Sequence, residues 1–225
     1  MASPLGNADP DLSQKIGQNL EKIRRHLSRA TTLIAVSKKK PSAAIRAAYN
    51  HGQRCFGENY IQDAIPKIQE LRDLSDIQWH FIGHLQSNKA KLAAQYFDVI
   101  QTVDSKKLAR KLNEACRTLS KTLPILIEVN IGSEPQKGGV IPANLHELLE
   151  FVSSLRHLTL LGFMAIPPAG VDPIPFFTEM KALFDQYRQE FHLKELSMGM
   201  SGDYQVAIPH GATMIRIGTK IFGLR

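Results

Sequence analysis

The sequence predicts an α/β fold, a single (β/α)8 barrel with an extra N-terminal helix, and three observations support it. Short β-prone runs alternate with amphipathic helical runs until eight strands are counted. The strands are close to continuously apolar, Ile125-Leu126-Ile127-Glu128-Val129 being the clearest, as parallel strands covered on both faces must be. The length of 225 residues lies where α/β barrels run as one domain, so 1–225 is read as one unit with residues 1–10 as a flexible lead.

The opening helix is read over Asp11 to Arg29, where Leu12, Ile16, Leu20, Ile23 and Leu27 recur at three- and four-residue steps. Thr31 to Ser37 is a β-prone run closed by Lys38, and Pro41-Ser42 then starts a helix over Ala43 to Asn50, before Gly52. The second unit is Arg54 to Gly57 with a helix from Tyr60 to Leu71, and the third is Gln78 to Gly83 with Asn88 to Tyr96. Asp98 to Val103 followed by Ser105 to Leu119 makes the fourth. In the second half, Leu123 to Asn130 precedes Asn144 to Leu155, and Leu158 to Ile166 precedes Phe176 to Phe191. Glu195 to Met200 precedes a short turn at Asp203 to His210, and Met214 to Gly218 is the eighth strand. An open doubly wound sheet is the rival, but the glycine-rich turns, Gly138-Gly139 and Gly199 to Gly202, form neither G-x-G-x-x-G nor a phosphate-binding loop early in the chain.

Hydrophobic residues at 43% and charged residues at 22%, with 15 Gly and 12 Pro, exclude collagen-like, disordered and disulfide-scaffold chains. Lys and Arg number 28 against 21 Asp and Glu, and the resulting +7 points to an anionic partner: nucleic acid, phospholipid or a phosphorylated small molecule. Cys55 and Cys116 lie far apart and outside any zinc spacing. With no basic-then-apolar leader and no run long enough to span a membrane, the expected location is the cytoplasm. A nucleic-acid reading rests on Lys106, Lys107, Arg110 and Lys111 of one helix, which has no interleaved aromatic platform and reads better as a solvated face. No G-x-S-x-G is present; His51, His146, His157, His192 and His210 read as surface or capping residues, and Cys55 beside Phe56 as core.

In such a barrel, functional side chains gather at the carboxyl ends of the strands. That rule selects Lys38, then Glu58-Asn59, then His80 and Gly83 to Ser87, then Asp104 after the first four strands. After the last four it selects Asn130, Met164 to Pro167, Ser201-Gly202 and Gly218-Thr219. Lys38 is the most telling, because an amine in a partly desolvated mouth loses basicity and becomes a nucleophile able to form a Schiff base. Lys38-Lys39-Lys40 reads equally as a solvated or phosphate-binding basic loop. Ser201-Gly202 and Gly218-Thr219 put hydroxyls and flexible backbone on the last two loops, where barrel phosphate sites commonly lie, although turn glycines and capping hydroxyls explain each loop singly. Arg216 lies two residues before Gly218 and faces the same way; it requires an acceptor, either a carboxylate such as Glu128 or a ring nitrogen of a bound cofactor.

Six separated motifs then carry a family resemblance. They are Ala35-Val36-Ser37-Lys38-Lys39-Lys40-Pro41, Phe56-Gly57-Glu58-Asn59-Tyr60, and Trp79-His80-Phe81-Ile82-Gly83 with Leu85-Gln86-Ser87-Asn88-Lys89. The other three are Gly162-Phe163-Met164-Ala165-Ile166-Pro167, Leu196-Ser197-Met198-Gly199-Met200-Ser201 and Met214-Ile215-Arg216-Ile217-Gly218-Thr219. In this order they resemble the pyridoxal phosphate homeostasis proteins (the YggS/PROSC family) over about Leu33 to Arg225. The resemblance implies a fold-type III barrel, like the amino-terminal domain of alanine racemase, holding pyridoxal 5′-phosphate (PLP) as a Schiff base on Lys38 rather than on Lys39 or Lys40. It also implies Ser201, Gly202, Gly218 and Thr219 around the phosphate, Arg216 beside the pyridine nitrogen, and Asn59, His80, Asn130 and Met164 as pocket lining. Lys39, His84 and Gly202 depart from the residues usual in the family at their positions.

A cation at the pyridine nitrogen disfavours its protonation and makes the ring a poorer electron sink. Racemases of the related fold also use an acid/base from a further β domain, which a chain ending at Arg225 is expected to lack. The resemblance therefore implies a PLP carrier and regulator of vitamin B6 and amino-acid/keto-acid balance, without appreciable catalysis. Expected partners are apo PLP-enzymes or a regulatory protein, with no metal, nucleic acid or membrane, and the protein is expected as a monomer or weak dimer. The alternative is a racemase-like PLP enzyme of narrow specificity.

Overall fold

The computed structural model describes residues 9–223. The flexible lead expected over residues 1–10 falls mostly outside them; Asp9 caps the first helix by accepting from the Asp11 amide, and Pro10 begins it. That helix, α1 (Pro10–Arg24), is followed by β1 (Thr32–Val36), α2 (Ser42–Asn50), β2 (Cys55–Glu58), α3 (Ile61–Glu70), β3 (Gln78–Phe81), α4 (Ala90–Tyr96), β4 (Val99–Val103) and α5 (Lys106–Thr118). The second half contains β5 (Leu123–Val129), α6 (Leu145–Ser153), β6 (Leu158–Ala165), α7 (Ile174–Arg188), β7 (Glu195–Ser197), α8 (Tyr204–Ala207), β8 (Met214–Ile217) and α9 (Thr219–Phe222). Short 3-10 turns at Ser87–Lys89 and Pro142–Asn144 lead into α4 and α6.

The eight strands pair in sequence order, all parallel, and β8 returns to β1 to close the barrel, with Ile34 opposite Arg216. Strand alternation sorts the apolar residues into two bodies. Leu33, Ala35, Phe56 and Phe81 point outward into the large core shared with the helices, whereas Ile34, Val99, Leu126, Met164 and Met214 fill the barrel interior. At Gly57 a methyl group would sit 2.9 Å from Ile82 and 3.0 Å from Ile34, so this strand position is kept empty for its neighbours' side chains.

Two expected boundaries are corrected and one short helix is added. The opening helix ends at Arg24 rather than Arg29: the chain turns off through His26 and Leu27, and the Arg24 guanidinium donates to the His51 carbonyl (2.7 Å) and to Gln53 Oε1 (3.2 Å). Leu27 still packs on the core, so its spacing continued the apolar pattern beyond the helix itself. The seventh strand ends at Ser197 rather than Met200, because Gly199 takes φ +92°, and the four-residue α9 was not anticipated. Among the described residues no helix is long and apolar enough to cross a membrane, and no group of three or more His, Cys, Asp or Glu could hold a metal ion.

Candidate functional site

Lys38 leaves β1 in a loop held from both sides. The Ser37 amide donates to the Gly57 carbonyl (2.9 Å), and the Ser37 hydroxyl donates to Glu58 Oε1 (2.6 Å). Lys67 on α3 reaches under this loop, its Nζ donating to the Ser37 carbonyl (2.9 Å) and to Glu58 Oε1 (2.8 Å). Glu58 is fully buried, and burial pushes its carboxyl above the usual range while Lys67 and Ser37 pull it back. The three lysines therefore have three distinct placements. Lys38 lines a cavity, Lys39 is exposed at φ +59°, and Lys40 turns away to donate to the Phe222 and Gly223 carbonyls at the end of α9 (3.2 and 3.1 Å).

The cavity beside Lys38 has a volume of about 360 Å³, within the range of small-molecule sites. Ser201 and Gly202, Arg216, Gly218 and Thr219, and Asn59 line it too, so seven of the ten residues selected from the sequence share one space. The sequence did not single out Val36, Ile82 or Met200 for the apolar remainder of its wall, since nothing distinguishes them locally from core residues. The loop after β7 is tightened by Asp203, whose Oδ1 accepts from the Met200 amide at 2.6 Å. At Gly199 in this loop a methyl group would come within 2.6 Å of Ala207, so glycine is required both by φ and by space. A methyl group on Gly218 would stand 3.2 Å from the Val36 carbonyl oxygen, which lets the start of α9 close against the end of β1.

Arg216 is 4% exposed, and Glu128, the carboxylate that the sequence offered as its acceptor, does not hold it directly. Its Nη1 donates to Ser197 Oγ (2.7 Å) and its Nη2 to the Ala165 carbonyl (2.9 Å). Burial pushes its pKa down to about 10 against the opposing pull of Glu128 and Asp203, so the group stays charged at neutral pH. The polar string continues inward: Ser197 Oγ donates to Gln101 Oε1 (2.7 Å), and Gln101 Nε2 lies 3.0 Å from His80 Nδ1. His80 Nε2 is buried without a partner, and desolvation lowers the imidazole to about 4, so His80 is neutral. Period-two alternation on β7 and β4 was the signal that could have found Ser197 and Gln101.

The other residues expected as pocket lining lie elsewhere. His80 stands within the barrel at the end of that string, and Met164 is in the interior apolar body. Asn130 braces the loop after β5, with Nδ2 donating to the Glu134 carbonyl (2.8 Å) and Oδ1 accepting from the Glu134 amide (3.1 Å). On that side of the mouth Glu128 and Asp104 lie beneath Gly138, and His84 Nδ1 is 3.9 Å from Asp104. Burial, reinforced by Asp104 and opposed by Arg216, raises Glu128 to about 7. Of the basic helix face, Lys106 pairs with Glu147 (2.6 Å) and Lys111 with Glu114 (2.8 Å).

Comparison with known proteins places this architecture. The family described as "Alanine racemase, N-terminal domain" matches residues 12–225. The pyridoxal phosphate homeostasis protein of Pasteurella multocida is 43% identical, over 93% of this chain and 97% of that protein. The protein of the same name from Escherichia coli K12 is 41% identical over the same shares. The solved structure of PipY from Synechococcus elongatus PCC7942 with PLP bound superposes with a TM-score of 0.86 at 40% identity, covering 92% of this chain and 100% of that one. An alanine racemase from Clostridium difficile, 16% identical with a TM-score of 0.74 over 94% of this chain and 57% of its own, shares the fold. By sequence and by architecture, the chain belongs to the alanine racemase N-terminal-domain family and, within it, to the pyridoxal phosphate homeostasis proteins.

Proposed function

We propose that this protein binds pyridoxal 5′-phosphate in the cavity beside Lys38 and acts in vitamin B6 and amino-acid/keto-acid homeostasis, holding the cofactor as a Schiff base without appreciable turnover. The observation that carries this reading is the convergence of Lys38, Ser201, Gly202, Gly218, Thr219 and the buried cation Arg216 on one cavity. The donor set fits the group: an amine for the aldehyde, two hydroxyl- and glycine-bearing loops for a phosphate, and a guanidinium for an aromatic nitrogen. The name of the curated relatives and the PLP-bound PipY structure support the same cofactor.

When bound, PLP supplies an electron-poor ring conjugated to the imine. Lys38 anchors it from a loop that Lys67 and Glu58 keep in place. Ser201 and Thr219, with the amides of their loops, hold the phosphate and compensate its charge. Arg216, fixed by Ser197 and the Ala165 carbonyl, presents a cation to the ring nitrogen and keeps a proton off it, which weakens the ring as an electron sink. Among the described residues lining the cavity, Lys38 and Arg216 are the only titratable side chains, so no second acid/base stands there to complete a racemase-like proton exchange. Free thiols at Cys55 and Cys116 suit a cytoplasmic setting, and apo PLP-enzymes or a regulatory protein are the partners of such a carrier.

Titration of the purified protein with PLP, followed by mixing with an apo PLP-enzyme and, separately, with L-alanine, tests this. The expected result is a saturable visible band, reactivation of the apo-enzyme, and no D-alanine above background. Absence of the band, or sustained racemisation, overturns the reading.

A further inference from the structure

The string of hydrogen bonds behind Arg216 has a direction, which its donors and acceptors fix. A guanidinium only donates, so Ser197 Oγ accepts from Arg216 Nη1. Ser197 has a single proton, and its other partner is Gln101 Oε1 at 2.7 Å. Both N–H bonds of Gln101 Nε2 are then used, one on His80 Nδ1 at 3.0 Å and the other on Met214 Sδ at 3.8 Å. Neutral His80 therefore accepts at Nδ1 and carries its one ring proton on Nε2.

The opposite direction fails the same count. Turned end for end, the Gln101 amide would donate to a Ser197 oxygen that already accepts from Arg216, and the Ser197 proton would have no acceptor among the described residues. Met214 Sδ would face an oxygen, and His80 Nε2 would be a buried lone pair instead of a buried N–H. The first direction leaves one buried polar atom unpaired and the second leaves two. The string also crosses the barrel. Ser197 is on β7, next to the β8 of Arg216, but Gln101 is on β4 and His80 on β3, neither of which adjoins β7. All four side chains are buried, in an interior otherwise filled by apolar groups such as Leu126 and Met164, where each such bond is stronger and each broken one costlier. Arg216 spends one N–H on Ser197 and one on the Ala165 carbonyl, and its others are left for the cavity it lines.

We propose that Gln101 and His80 are positioning residues for the cofactor: acting through Ser197, they hold the Arg216 guanidinium at the place where it meets the ring nitrogen. The inference rests on the PLP reading for this last step, while the direction of the string belongs to the protein alone. A His80 protonated on Nδ1 would turn the Gln101 amide and leave the Ser197 proton among donors, so the imidazole tautomer at one end sets the hold on the guanidinium at the other.

Long-range proton–nitrogen correlation on the nitrogen-15-labelled protein without PLP reads the His80 tautomer, its signal being identified by its loss in His80→Asn. A proton on Nε2 and a bare Nδ1 are expected near neutral pH, and a proton on Nδ1 overturns the proposal. PLP labelled with nitrogen-15 in its ring is then titrated into wild type, Gln101→Met, His80→Leu and His80→Asn, each first checked for folding by circular dichroism. Gln101→Met and His80→Leu are expected to bind PLP about fivefold more weakly or worse, and to move the ring-nitrogen resonance toward its protonated position. Should His80→Leu not fold, Gln101→Met carries the comparison. His80→Asn, whose Oδ1 takes the place of Nδ1, should stay within about twofold of wild type with the resonance unmoved. Weaker binding with an unmoved resonance in Gln101→Met and His80→Leu, or His80→Asn behaving as His80→Leu does, assigns a packing role and overturns the proposal. A wild type that takes up no PLP defeats the cofactor reading and this role together, whereas normal uptake with the other tautomer defeats this inference alone.

Discussion

On the β7–β8–β1 side of the barrel mouth, Arg216 and the loop bearing Lys38 are each tied to further groups. Arg216 is held by Ser197 and Ala165, and the loop bearing Lys38 is held by Glu58 and Lys67. On the β4–β5 side, Glu128 and Asp104 crowd beneath Gly138, with a long contact from Asp104 to His84. The first side is cationic and braced; the second is acidic, with Glu128 pushed toward its neutral form by burial. An anionic ligand is drawn to one side and repelled from the other, so the mouth gives it a direction as well as a place.

The brace is the part whose removal has the largest effect on stability. Lys67→Met leaves the fully buried Glu58 without its counter-ion and is expected to cost about 3–5 kcal/mol in chemical denaturation near neutral pH. The cost shrinks in acid, where Glu58, already raised by burial, takes up a proton. A loss too small to measure would show that the Lys38 loop stands without its brace. Arg216→Met is next: it leaves Ser197 Oγ and the Ala165 carbonyl without a charged donor and is expected to cost about 1.5–3 kcal/mol.

The acidic side has the opposite signature in pH. Folded Glu128 keeps its proton up to about pH 7, whereas its ordinary value is 4.5, so the folded state binds more protons between these limits and stability falls as pH rises through them. His80 works in reverse: its folded value is about 4 against an ordinary 6.5, so the unfolded state binds more protons there and stability falls as pH drops through that window. Each contributes up to about 3 kcal/mol, and where the windows overlap they cancel. Wild-type stability is therefore expected to be nearly flat from about pH 4.5 to 6.5. Glu128→Gln should leave the acid-side loss, and His80→Gln should leave the gain. Equal profiles in all three proteins would show that neither group is buried as described.

Much of the braced side was legible in the sequence and little of the acidic side was. The apolar run of β5 and the strand-end positions of Lys38, Ser201 and Gly218 follow from local pattern together with the barrel rule. That rule gives a residue's position at the mouth but not the direction of its side chain. Asn130 therefore turned to brace a loop, and the choice among Lys38, Lys39 and Lys40 needed either the family resemblance or the backbone itself. The Glu58–Lys67 pair joins a strand to the next helix, and the Arg216–Ser197–Gln101–His80 string links four strands, β8, β7, β4 and β3. Strand alternation gives the inward face of Ser197 and Gln101, but neither pairing can be read from one segment of the chain, because each depends on how elements meet.

The central claim is that Lys38, among three neighbouring lysines, is the one that takes the cofactor. Borohydride reduction of the PLP-loaded protein, followed by peptide mass mapping in wild type and in Lys38→Ala, tests it most directly. The account predicts a single pyridoxyl adduct on Lys38 that the variant lacks, with Lys39 and Lys40 unmodified in both. An adduct on another lysine in the wild type, or a trapped cofactor undiminished in the variant, would contradict it.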